Sequence, residues 1–153
     1  MPVIDKDKGW KALGKAVAKL GDGPSVLVGV QGAKGNAPHG ADGLTNVELG
    51  TIHEFGLGVP ERSFIRAAID EHERDLVDFM APLGQRCLLG ELTEAAALGL
   101  TGEKAVDLIK DRILAHIHPP LEKATIAAKG GIETPLVEHS TLLNSITWEL
   151  EAK

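Results

Sequence analysis

Apolar residues fall into helical spacing at the start of the chain. Trp10, Leu13, Val17 and Leu20 are separated by three, four and three positions, which places an N-terminal helix within residues 1–21. Gly21-Asp22-Gly23-Pro24 ends it, and the Val-rich run Ser25-Val26-Leu27-Val28-Gly29-Val30 reads as a buried strand. Residues 31–44 are dominated by Gly, Ala, Asn, Pro and Asp and read as a flexible loop or loosely paired hairpin tip. Val47, Leu49, Ile52 and Phe55 are the apolar residues of a short helix. Thr45 or Asn46 is suited to cap its start and Gly56 to stop it. Pro60, with Glu61 at the positive end of the helix dipole, is expected to launch the next helix.

From Ser63 a longer helix is expected, with Ile65, Ile69, Leu76 and Phe79 or Met80 turned inward and a kink or restart at Pro82. Leu83, Cys87, Leu88 and Leu92 continue the helical spacing. Gly99 to Gly102 reads as a break, after which Thr101 caps an amphipathic helix carrying Ala105, Leu108, Ile109, Arg112, Ile113 and Ile117. Pro119-Pro120 stops that helix, and Gly130-Gly131 marks a loop. Ile146, Trp148 and Leu150 alternate with polar residues and share one face of a last strand over residues 145–151. The sum is a single α+β domain: a small, mostly antiparallel sheet with an extra middle strand or strands, packed with two to four helices.

Composition narrows the class. A chain of 153 residues suits one domain that buries about 68–70% of its unfolded surface. With 3% aromatic residues, the core must rest on Leu, Ile, Val and Ala. A net charge of −6 without any run of Lys and Arg argues against a general grip on nucleic acid. Cys87 is the sole cysteine, so neither an intrachain disulfide nor a thiolate zinc cluster is expected. The first ten residues alternate acid and base without an apolar core, so no signal peptide is read there. No segment approaches the length of a membrane span.

Candidate chemistry is sparse. Gly29-Val30-Gln31-Gly32-Ala33-Lys34-Gly35 follows a strand but matches neither the dinucleotide fingerprint nor the Walker loop. A small nucleotide-binding protein or enzyme using that loop is the alternative reading. His53-Glu54 lacks the second histidine of a zinc-protease helix, since position 57 is Leu, and His116 and His118 cannot share a helix face. Ser63, Ser140 and Ser145 have no nucleophile elbow around them: Ser63 suits a helix start and Ser145 the polar side of a strand. The expectation is therefore a non-enzyme without metal or cofactor. Arg62 and Arg66, four apart, are expected on one helix face, pairing with a carboxylate such as Glu54 or one from an adjacent subunit.

The phrase His53-Glu54-Phe55-Gly56 followed by Pro60-Glu61-Arg62-Ser63-Phe64-Ile65-Arg66 resembles the small head–tail joining proteins of tailed bacteriophages, also called tail-completion, neck or tail-terminator proteins. Their recurring phrase is a helix ending in His-Glu-Phe-Gly, then a proline and an arginine leading into Phe-Leu-Arg. Ser63 stands where a second proline is common. Pro120-Leu121, Thr125-Ile126, Lys129, Pro135-Leu136, Leu142 and Ser145-Ile146 follow the family's closing pattern, with Glu138-His139-Ser140-Thr141 in place of a frequent Asp-Thr-Gly. The resemblance spans roughly residues 25 to 150. It implies a structural virion protein that assembles in the bacterial host cytoplasm as a ring, of six subunits, against the phage connector and tail proteins. DNA would pass through the ring without specific binding. It also implies that Glu54, Phe55, Arg62, Phe64 and Arg66 form a structural or subunit-interface motif.

Overall fold

The computed structural model describes residues 9–20, 23–39, 43–115, 117–128, 130–131, 136 and 141–152. Its elements run α1 (Trp10–Leu20), β1 (Ser25–Val30), α2 (Gly32–Gly35), α3 (Asn46–Phe55), α4 (Arg66–Glu71), α5 (Glu73–Leu88), α6 (Glu94–Leu114), α7 (Lys123–Ala128), α8 (Thr141–Ser145) and β2 (Ile146–Glu151). The mixed helix-and-strand class matches the sequence reading. The sheet is smaller than expected: β1 and β2 pair antiparallel, Ser25 opposite Glu151 and Val30 opposite Ile146, and no middle strand joins them among the described residues. The helices, conversely, exceed the expected two to four because several are only one or two turns long.

Alternation along β2 holds. Ile146, Trp148 and Leu150 lie opposite Val30, Val28 and Val26, so both strands put one apolar face toward the helices. The main core joins Phe64, Ala68, Ile109, Ile113, Leu142 and Ile146, all at most 2% exposed. A second cluster, Leu76, Ala105 and Leu108, sits between α5 and α6. α6 is thus the central element, packed on the sheet, on α4 and on α5. On α1, by contrast, Leu13 and Val17 are exposed. Residues 1–8 and Gly21-Asp22, where the helix was expected to end, lie outside the described residues.

Five boundaries differ from the sequence expectation. α6 ends at Leu114 with Ala115 as its cap, so Ile117 and Pro119-Pro120 lie beyond the helix rather than at its end. The glycines at 99 and 102 do not break the chain: α6 runs through both, and its start is capped by Thr93, whose hydroxyl accepts from the Ala96 N–H. They are there for close approach. A Cβ on Gly102 would stand 2.7 Å from Trp148 Cγ and 2.9 Å from its Cβ; one on Gly99 would stand 3.1 Å from Trp148 Cη2. Pro82 likewise neither stops nor restarts α5. It is exposed, so water can serve the Asp78 carbonyl that a proline leaves without an N–H. The helix expected from Ser63 begins instead at Arg66 and is interrupted at His72. Ser145 is not on a strand's polar side but closes α8, fully buried, its hydroxyl donating to the Leu142 carbonyl at 2.6 Å.

Residues 31–44, read as a loop, carry the helical turn α2 and an isolated bridge between Pro38 and Thr45. Three side chains tie this segment down. Asn46 Nδ2 donates to the Lys34 carbonyl at 2.8 Å; Asn46 Oδ1 lies 2.9 Å from His39 Nδ1, which is 2.6 Å from the Thr141 hydroxyl. Residues 40–42 lie outside the described residues.

The glycine contacts give a paired expectation. Gly102→Ala should destabilise by about 1–2 kcal/mol, because overpacking against Trp148 outweighs the gain in helix propensity. Gly50→Ala on α3 meets its neighbours only at 3.4–3.5 Å and should be neutral or stabilising. Urea unfolding of the two variants decides it. A Gly102→Ala protein as stable as the parent would mean that α6 and β2 are not in close contact.

Candidate functional site

The buried face of α3 is polar. Asn46, Gly50 and Glu54, each four residues after the last, point inward, while Phe55 is 56% exposed. This departs from an inward apolar stripe that includes Phe55. Burying Asn46 and Glu54 is tolerable because both side chains are hydrogen-bonded. The helix is fixed at both ends. Thr45 caps it, accepting from the Glu48 N–H at 3.2 Å while Glu48 Oε2 accepts from the Thr45 N–H at 2.8 Å. Those Thr45 bonds hold the Glu48 carboxyl below its usual range. At the other end Gly56 turns left-handed (φ 65°), and a Cβ there would meet Glu61 Cβ at 3.0 Å.

The turn brings residues 60–66 back across the end of α3. Arg62 N–H donates to the His53 carbonyl at 2.8 Å. The next four residues then close on the Glu54 carboxylate. Oε2 accepts from the backbone N–H of Phe64 at 2.8 Å and Ile65 at 3.0 Å. Oε1 accepts from the Ser63 hydroxyl at 2.8 Å, the Arg66 N–H at 3.0 Å and Arg66 Nε at 3.3 Å. Glu54 therefore satisfies the N–H groups at the start of α4 that a helix leaves without internal partners. The negative charge at this helix start is favourable too. Ser63 completes the cap by accepting from the Ala67 N–H at 3.3 Å.

Glu54 is 4% exposed. Burial by itself would raise its pKa, but the N–H groups of Ile65, Arg66 and Phe64 and the Ser63 hydroxyl outweigh it and bring the carboxyl below its ordinary value. Five donors on two oxygens leave no free lone pair of consequence. Such a carboxylate holds two segments together and is a poor base.

The arginines part company. Arg62 precedes the helix, so the expected shared helix face does not exist. Its side chain turns away and is buried, Nε donating to the Pro119 carbonyl at 3.1 Å. Arg66 spans the outside of the cluster, with Nη2 donating to the Glu54 carbonyl at 3.1 Å and to Glu61 Oε1 at 2.9 Å. Its guanidinium lies 5.2 Å from the centre of the Phe55 ring. Exposed contacts of this kind contribute about 0–1 kcal/mol each. Phe64 is 0% exposed and anchors the core beneath. Arg112, half-buried on α6, clamps the same corner: Nε donates to the Ser63 carbonyl at 3.1 Å and Nη1 to Glu71 Oε2.

So the structure gathers Glu54, Phe55, Arg66 and the Phe64 amide into one cluster and leaves Arg62 outside it. The sequence reading missed the reach of Ser63, which it took only as a helix-start residue, and the bridging role of Glu61. It also missed Asn46, whose signal was the repeat of inward polar positions every four residues along α3. Residues 29–35 form a strand end and a single helical turn in which the Gly35 N–H donates to Gln31 and the Asn36 N–H to Gly32. A Cβ on Gly35 would stand 3.2 Å from Val47 Cγ2 and 3.3 Å from the Val30 carbonyl carbon, so packing accounts for that glycine. Among the described residues no group of three or more His, Cys, Asp or Glu could hold a metal, and no helix is long and apolar enough to cross a membrane.

No protein-family model, no curated protein and no solved structure matches this chain.

Proposed function

We propose that this chain is a structural virion protein that assembles as a ring, of six subunits, at the phage head–tail junction and completes or joins the tail. One observation carries the reading. The two halves of the motif, His53-Glu54-Phe55-Gly56 and residues 60–66, form a single hydrogen-bonded unit around Glu54, whose chemistry is consumed in holding shape. The spacing between the halves is then set by a turn and a helix cap, as a scaffold element requires, and supplies no reactive group. The exposed Phe55 and Leu57 beside the unit suit contact with a neighbour. Its partners on this reading are copies of itself and the connector and tail proteins. The net charge of −6 suits a channel that DNA traverses without adhering.

Light scattering and electron microscopy of the purified protein, alone and with the neighbouring virion proteins, test this. Head-to-tail contacts that close should give rings. A strict monomer that also ignores those neighbours would sink the reading.

A further inference from the structure

Two features of the surface complement each other. The first projects. Phe55 and Leu57, on either side of the Gly56 turn, are 56% and 57% exposed, and the Arg66 guanidinium stands 5.2 Å from the centre of the Phe55 ring. Arg66 keeps about half its side chain in water although it reaches Glu61. Aromatic residues and arginine are the types that anchor protein interfaces. The second feature is a hollow of about 210 Å³ between α5 and α6. Gly84 and Ala97 put little bulk where the two helices face each other there, and Met80, Leu83, Cys87 and Leu98 make apolar walls. A cavity of about 150 Å³ with such walls takes a benzene molecule, so this one has room for a phenylalanine ring. Glu94 also lines it and supplies the charge opposite to the arginine that accompanies that ring. Phe55 is exposed on its own chain, so ring and hollow do not meet within one subunit. Another hollow, of about 220 Å³ between α3 and Ile65, is lined by Phe55 itself. Seating a neighbour's ring in that one brings like patches together, which closes a two-fold dimer rather than a ring of subunits.

We propose that Phe55 of each copy of this chain seats in the α5–α6 hollow of the next copy, with Arg66 turned to that copy's Glu94. Knob and hollow lie on different elements of the chain, so the contact is head-to-tail and propagates until the rotation closes it. The inference rests on the ring reading and names the two surfaces by which one subunit holds the next.

Cys87 is the chain's sole cysteine and lines the hollow, so it reports on the seat directly. In the parent, maleimide labelling of Cys87 should be several-fold slower in the assembly than at a dilution that separates the subunits. Phe55→Cys, oxidised with copper–phenanthroline, should run as a ladder of linked chains without reductant, and adding Cys87→Ser should abolish the ladder. Phe55→Ala should melt as the parent does, because the ring is exposed, and should associate about 30-fold more weakly in sedimentation across a concentration series, the loss of an aromatic anchor. A parent that assembles while Cys87 labels as fast as in separate subunits overturns the seat and leaves the ring reading standing; so does a Phe55→Ala protein that assembles like the parent. Linkage that survives Cys87→Ser sets two Phe55 patches face to face and overturns the head-to-tail contact. A parent that stays monomeric, with its virion neighbours present, removes the ring reading and this contact together.

Discussion

Glu54→Ala should unfold about 10 °C below the parent, a cost of about 3–5 kcal/mol for a domain of this size. The loss is large because three backbone N–H groups, at Phe64, Ile65 and Arg66, would lose their acceptor at once, along with the Ser63 hydroxyl. The Phe64 amide is buried, so water cannot readily take over there. Glu54→Gln is the sharper variant. It keeps the shape, but it sets an amide donor against a ring of donors, so most of the loss should remain.

The pH dependence has a definite sign. The folded carboxyl lies below its ordinary value of 4.5, so its stabilising contribution is complete above that value and is lost as pH falls through the folded pKa. The stability gap between parent and Glu54→Gln should therefore be widest near neutrality and shrink as pH falls below 4.5. Denaturant midpoints at several pH values measure it. A gap that does not change with pH would mean that Glu54 acts through packing rather than charge.

Phe64→Asp should have the largest effect of any single substitution considered. Removing a fully buried phenylalanine costs about 3–5 kcal/mol, and leaving a carboxylate among Ile109, Ile113 and Leu142 adds several more. That approaches the whole stability of an ordinary domain, about 5–15 kcal/mol. The variant should be largely unfolded at 37 °C or melt far below the parent. Phe64→Leu, which keeps the apolar character, should cost about 1–2 kcal/mol and remain folded. Circular dichroism of both variants separates a core role from an interface role: a melting temperature for Phe64→Asp within a degree or two of the parent would place the residue on an open surface.

Much of the architecture was set by local physics and was legible in the chain. The spacing of Trp10, Leu13, Val17 and Leu20, the alternation of Ile146, Trp148 and Leu150, the Thr45 cap and the Gly56 stop each depend on residues within a few positions of one another. So does the amphipathic stripe through Ala105, Leu108, Ile109 and Ile113, whose side chains are all buried. The candidate motif was legible as a pair of phrases, but its chemistry was not. Sequence places Glu54 at the end of one helix and Arg62 and Arg66 four apart; it does not say that the turn at residues 56–60 folds the second phrase back over the first. Only that return puts four consecutive residues, 63–66, around one carboxylate, and it delays the helix to Arg66 because Glu54, rather than Pro60, supplies the cap.

The same distinction explains Gly99 and Gly102. Along the chain they look like a break, since glycine carries the greatest backbone entropy of any residue. In three dimensions they are the seats into which Trp148, nearly fifty residues later, is pressed. Periodicity and capping come from short-range sterics and hydrogen bonds, so the sequence determined them by itself. Which polar groups meet and which glycines admit a ring depend on contacts between distant segments, and those the tertiary structure alone decided.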